Sequence, residues 1–202
     1  MADRIAVFID YMNTYKRCRE AFRAGSRSHV DGQVLPLRLG IKLRDRAAGE
    51  RELVSVRVYR GLPSSHHDPD GYGAANRQDA AWQKQTLVTP IWRPLNYRDP
   101  AKPREKGVDV RLAVDMVMMA MRKEFDVAVL VSEDRDLEPA LTAVMDLYGH
   151  AAIETVTWVP NNGDRARPVK VSGYGHLVHR LNEIDYRHIH DPEDYVKRRR
   201  RR

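Results

Sequence analysis

Short runs of consecutive apolar residues alternate along the chain with stretches whose apolar positions recur every three or four residues. The first run, Arg4 to Asp10, sets Ile-Ala-Val-Phe-Ile between charged residues. A continuous run of that length fits a strand buried on both faces of a parallel sheet. Tyr11, Tyr15, Cys18 and Phe22 follow at helical spacing, and Gly25 is the expected cap of that helix. Leu35 to Leu43 is apolar at alternate positions, but Pro36 near its start and the Arg-Asp-Arg-Ala-Ala stretch from Arg44 favour a helix. Leu53 to Arg60, with Val54, Val56 and Val58 alternating, predicts a strand. Residues 61–73 read as loop, Ala74 to Thr86 as helix, Val88 to Trp92 as a short strand cut by Pro90, and 94–105 as loop. Val108 to Lys123 is apolar almost all round, which predicts a buried helix with Met116, Met118, Met119 and Met121 filling core. Asp126 to Ser132 reads as a strand, Leu137 to Tyr148 as a helix closed by Gly149, and Ala151 to Val159 as the last core strand. Tyr174 to Ile184 reads as a final helix.

Strands alternating with helices predict a three-layer α/β/α sandwich around a mostly parallel central sheet. The 202 residues suit one domain, 1–190, with a basic tail at 191–202. With 42% hydrophobic and 31% charged residues the chain is globular rather than disordered. The apolar runs are too short to span a membrane, no secretory leader pattern is visible, and Cys18 is alone, so a cytoplasmic location is expected. The net charge of +7 is mostly local. Lys197, Arg198, Arg199, Arg200, Arg201 and Arg202 supply six of those charges. Such a block reads either as an arm for nucleic-acid phosphate or as a solvated tail. The acidic, proline-containing Asp191 to Asp194 before it predicts an arm that projects from the body.

In a parallel sheet the ligand site lies beyond the carboxyl ends of the strands. Asp10 ends the first strand, and Ser132, Asp134 and Asp136 follow the strand through Val131. Asp109 opens the long apolar helix, and Asn13 lies one turn into the first helix. Carboxylates converging in a cleft raise one another's pKa or bind a cation, and an all-oxygen set suits Mg²⁺ or Mn²⁺. Such a site activates water for phosphoryl displacement. The same residues also read as helix caps and N-terminal charges, and spacing leaves both readings open. Asp115, roughly 240° around the helix from Asp109, reads as a paired structural carboxylate. The histidine pairs 66/67, 176/179 and 188/190 lack partner cysteines, which disfavours zinc. Arg60, Lys106, Arg135, and Trp92 with Arg93 are rim candidates for contact with single-stranded RNA.

Phe8-Ile9-Asp10-Tyr11-Met12-Asn13 resembles the Asp-x-x-Asn opening motif of the NYN family, a branch of the PIN-like nucleases. Lys106 to Val110 with Leu112 to Met116 resembles the family's central helix motif, and Val131 to Leu137 its Ser-x-Asp-x-Asp motif. The resemblance, strongest over 4–160, implies a PIN-like sheet and an RNA-cleaving enzyme dependent on Mg²⁺ or Mn²⁺. It implies an acidic centre of Asp10, Asp109, Asp134 and Asp136, supported by Asn13 and Ser132. Lys106, Arg135 and the 197–202 block are the expected RNA contacts. Tyr11, Glu133 and Leu137 depart from the family's usual residues, and the first two are expected to narrow or recharge the mouth of the site. The alternatives are a non-catalytic RNA-binding or regulatory module that retains the acidic pocket, and a small-molecule phosphohydrolase. The chain acts alone or as a homodimer; the sequence leaves both open.

Overall fold

The computed structural model describes residues 2–161 and 166–197. The elements run β1 (Asp3–Asp10), α1 (Tyr11–Phe22), α2 (Pro36–Arg46), β2 (Arg51–Leu62), α3 (Pro69–Gln83), β3 (Val88–Pro94) and α4 (Val108–Met121). They continue with β4 (Val127–Val131), a 3₁₀ turn (Arg135–Leu137), α5 (Glu138–Tyr148), β5 (Ile153–Trp158), β6 (Leu177–Leu181) and α6 (Glu183–Ile189). The strands form one sheet in the order β3-β2-β1-β4-β5-β6, all neighbours parallel. Helices cover both faces, so the fold is the three-layer α/β/α sandwich.

The apolar runs are explained by this placement. In β1, Ile5, Val7 and Ile9 face one core with Cys18, Leu39, Trp82 and Tyr186, while Ala6 and Phe8 face the other with Leu112, Met116 and Leu141. Val127, Val129 and Val131 of β4 join the first core; Ala128 and Leu130 join the second. A central strand with helices on both sides has no solvent face, so its sequence shows no polar alternation. In β2 the register slips between Ile5/Ala6 and Leu53/Ser55. That extra residue puts Leu53 and Val56 on the same face, as a bulge does. β3 forms one edge of the sheet and contains Pro90 and Pro94.

Several expectations are corrected. The stretch read as a final helix, 174–184, is instead strand β6 followed by α6. His179 and Leu181 alternate inward, and a capping box between Asn182 and Asp185 starts the helix later. The strand through 153–158 is therefore not the last. α3 begins at Pro69, not at 74: Asp68 caps it by accepting from the Gly71 N–H at 2.9 Å. α1 ends at Phe22, and Gly25 lies in the turn beyond. α4 is not buried all round. Leu112, Met116 and Met119 are covered, while Val110, Val114, Met118 and Met121 face solvent, because an outer-layer helix has only one face against the sheet. The methionines thus divide between core and surface.

Asp115 is paired as expected, accepting from Tyr59 Oη at 3.1 Å and Arg57 Nη2 at 3.2 Å and meeting Arg111 Nε at 2.9 Å. The 191–196 stretch that precedes the basic block packs against the body. Asp191 is buried and donates its N–H to Gln33 O at 3.2 Å, Arg77 Nε reaches Tyr195 O at 2.7 Å, and His29 meets Asp194 at 2.7 Å. Arg198 to Arg202 lie outside the described residues. Among the described residues no helix is long and apolar enough to cross a membrane.

A buried ionic group ties the strands' amino ends together: Glu154 of β5 accepts from Arg51 Nη2 at 2.7 Å and meets His179 Nε2 of β6 at 2.7 Å. Removing one member of such a set strands the other charge in the interior. Glu154→Ala is expected to cost about 3–5 kcal/mol in urea unfolding. A loss under about 1 kcal/mol, the level of an exposed pair, would show that Arg51 finds water instead.

Candidate active site

β1 and β4 lie side by side with Ile9 opposite Val131. Chain direction reverses its lateral progress here: β2 and β3 extend to one side, β5 and β6 to the other. This crevice is the switch point at which parallel sheets of this kind bind ligands. The next residues on the two strands are Asp10 and Ser132, so the register itself brings them together.

Asp10 serves as cap and cluster member at once. Its Oδ1 accepts from the Asn13 N–H at 3.1 Å, capping α1, and its Oδ2 accepts from Ser132 Oγ at 3.1 Å. Ser132 Oγ in turn accepts from the Asp134 N–H at 3.1 Å. Asp134 Oδ1 accepts from the Asp136 N–H at 3.0 Å and caps the 3₁₀ turn. Asn13 Oδ1 accepts from the Glu133 N–H at 3.0 Å, stitching α1 to the loop after β4. Asp10, Asn13, Ser132 and Asp134 are thereby one bonded unit.

The electrostatics extend that unit. Burial pushes the half-buried Asp10 carboxyl up to about 6, with Glu105 and Asp134 adding like charge, against the pull of the Asn13 and Ser132 bonds. The carboxyl of Glu105, an exposed residue, is also raised, first by partial desolvation and then by Asp109, while the Gly61 N–H, Lys16 and Arg60 oppose. Asp109, in the first turn of α4, enters the cluster through Glu105. Asp136 is exposed and joins only through its backbone. Among the described residues no three acidic, histidine or cysteine side chains stand close enough together to hold one ion as a ready-made cage.

Glu105 and Lys16 are site residues that the sequence reading missed. Glu105 comes from a loop, and its carboxyl accepts the Gly61 N–H. The available signal was Gly61 itself, a glycine in a strand: a Cβ there would collide with Leu95 and Glu105. Tyr11 and Glu133 do not shape the mouth as expected. Glu133 is turned away, accepting from Thr157 Oγ1 at 2.7 Å and paired with Arg17 at 3.3 Å. Tyr11 is buried, its hydroxyl accepting from Gln78 Nε2 at 2.8 Å. Arg60 is also withdrawn from the rim, donating to Gln78 Oε1 at 2.6 Å. Lys106, with Arg93 and Arg111, lines an open groove of about 600 Å³ beside the start of α4. Arg135 is exposed on the other side, beside Asp136 and Pro139.

An all-parallel sandwich with carboxylates at its switch point is the architecture of the PIN-like nuclease superfamily. Residues 4–157 match the NYN domain, and the chain belongs to that family. A solved structure of a protein of unknown function from Vibrio parahaemolyticus RIMD 2210633 is similar in fold, with a TM-score of 0.52 at 21% identity. The match covers 77% of this chain and 81% of that one. No curated protein matches the chain.

The raised Asp10 carboxyl sets a pH dependence of stability. Between its unfolded value of about 4 and its folded value of about 6, the folded state keeps a proton that the unfolded state has lost. Stability of the metal-free protein therefore falls as pH rises through that window. Asp10→Asn is expected to flatten this part of the profile and to exceed wild type at pH 7.5 by about 1–3 kcal/mol. Urea melts at pH 4.5 and 7.5 in EDTA check it; parallel pH profiles for the two proteins would contradict the half-buried, repelled carboxylate.

Proposed function

We propose that this chain is a divalent-metal-dependent endoribonuclease that hydrolyses phosphodiester bonds of single-stranded RNA at the Asp10 crevice. The observation that supports this most is the half-buried Asp10 carboxylate at the sheet's switch point, with Glu105 and Asp134 as like-charged neighbours. A cation relieves that crowding. The donors are all carboxylate oxygens, which suits Mg²⁺ or Mn²⁺. Mg²⁺ is commonly held by one or two carboxylates plus water and substrate phosphate, so a three-donor cage is not required. Asp10 and Asp134 would hold the ion. Asp109, Asp136 and Glu105 complete the acidic surround.

The chemistry that a bound divalent ion supplies is a lowered pKa for water and neutralisation of charge on the phosphate. The chain's own residues do the positioning. Ser132 fixes Asp10 relative to Asp134, and Asn13 anchors the loop that carries both Ser132 and Asp134. Lys16, Lys106 and Arg135 supply positive charge for the strand's phosphates. Net hydrolysis adds water across one P–O bond, with the proton ending on the leaving oxygen. Metal binding is expected to weaken as pH falls through about 6, where protonation of the metal-free Asp10 competes with the cation.

The lack of a ready-made cage among the described residues favours a second reading, an RNA-binding or regulatory module that does not cut. Incubation of mixed RNA with Mn²⁺ separates the two, with a small phosphoester run beside it to test for a phosphohydrolase. Asp10→Asn and Asp134→Asn are expected to lower cleavage by more than about 100-fold, since even outer partners of a metal site are worth about 10–100-fold. Ser132→Ala, which removes such an outer partner, is expected within that lower range. Cleavage by Asp10→Asn at the wild-type rate would overturn the assignment.

The 197–202 block is proposed to add affinity without choosing sequence. Each phosphate neutralised on a single strand contributes a log–log salt slope of about −0.7. Deleting residues 197–202 is expected to flatten the salt dependence of RNA binding and leave the cleavage rate at saturation unchanged. Identical slopes for the two proteins would make the block a bystander.

A further inference from the structure

A second cavity, of about 260 Å³, lies between the first turn of α1 and α3 and includes part of the C-terminal stretch in its wall. Its surface is mainly apolar. Tyr11, Tyr15 and Tyr195 bring aromatic rings to it, and Gln78 and Arg60 bring polar groups. It adjoins the acidic crevice through the chain itself: Tyr11 and Met12 follow Asp10, and Arg60 precedes Gly61, whose N–H binds Glu105.

The polar groups here are largely buried, and Gln78 is fully engaged, its Oε1 accepting from Arg60. Gln78 Nε2 donates to Tyr11 Oη and to Gln33 Oε1 at 3.0 Å. Arg60 lies over the Tyr11 and Trp82 rings at 5.2 and 5.7 Å. Yet Arg60 Nε, Asp79 Oδ2 and Trp82 Nε1, three buried atoms of one cluster, have no hydrogen-bond partner among the described residues. Of these three residues only Arg60 lines the cavity; Asp79 and Trp82 lie behind it. On the other side, Tyr195 and Val196 form part of the wall.

Aromatic walls and a few hydrogen-bonding groups, the Arg60 guanidinium among them, match one flat heterocycle of a nucleotide. The volume is below the roughly 300–1,000 Å³ of sites for larger small molecules, which suits a single base. We propose that this cavity receives one unstacked base of a single-stranded RNA whose neighbouring phosphate lies in the Asp10 crevice. This rests on the ribonuclease reading and adds to it how the strand is gripped. The base stacks on tyrosine, and its edge turns toward the Arg60 guanidinium.

The test uses the full chain in EDTA, so that binding is read without cleavage. Affinity is measured for a short oligouridylate and for the same ribose-phosphate chain without bases. Wild type is expected to prefer the base-bearing strand by about 5- to 150-fold, the range for stacking of a base on an aromatic side chain. Ala74→Phe, which fills the cavity from α3, should erase that preference and leave the affinity for the abasic chain and its salt dependence unchanged. Should Ala74→Phe melt well below wild type, the smaller Ala74→Leu replaces it. No base preference in wild type, or one that survives the filled cavity, overturns the proposal. Uridine monophosphate is titrated in parallel. Saturable binding that Ala74→Phe abolishes, with no base preference for the strand, would reassign the cavity to a free nucleotide and likewise overturn it. Mn²⁺-dependent cleavage is scored separately. Cleavage without base preference removes only the base site, whereas base preference without cleavage removes only the nuclease reading.

Discussion

The hydroxyl of Ser132 donates to one carboxylate, Asp10, and accepts from the backbone N–H of another acidic residue, Asp134. It can do both only because β1 and β4 run parallel and in register, so that their next residues emerge at the same height. Two negative groups are thereby kept within electrostatic reach where burial already disfavours charge. The stabilisation that permits this comes from elsewhere, from valines, isoleucines and leucines packed on both faces of the same two strands. The molecule thus divides into a dry, well-packed sheet and an edge where acids crowd.

The elements most legible in the sequence were those whose environment is uniform. β1 and β4 are covered on both faces, and their unbroken apolar runs say so. α2 was decided by Pro36 at its start, against a misleading alternation, because a proline at the first helical position leaves no donor unsatisfied. Legibility failed where a local signal was outweighed by pairing. The residues of β6 look helical in isolation and become a strand because β5 offers an edge to pair with. Glycines at 71 and 73 suggested a loop, although Asp68 and Pro69 start α3 just before them. α4 misled differently: its composition is core-like, but its position in an outer layer leaves one apolar face in water.

The acidic site divides along the same line. Asp10, Asn13, Ser132 and Asp134 sit on or next to regular elements, and their spacing places them. Glu105 arrives on a loop that folds back over Gly61, and no periodicity reports a loop's path. Asp136 shares a motif with Asp134 yet keeps its carboxylate in solvent, since the 3₁₀ turn uses its backbone rather than its side chain. Tyr11 and Glu133 show the reverse case. Each looks like a feature of the mouth by sequence neighbourhood, and each is turned inward by a partner far along the chain, Gln78 for one and Thr157 with Arg17 for the other.

The sheet's outer margin has its own consequence. β3 closes one side with Pro90 and Pro94, residues that have no N–H to offer, and β6 closes the other with only five residues. A strand from another molecule would find few of the donors it needs to extend the ladder on either side. The chain thus has a built-in resistance to growing by strand addition into fibrils, even though the interior of its sheet is made of the valine- and isoleucine-rich segments that most readily form them.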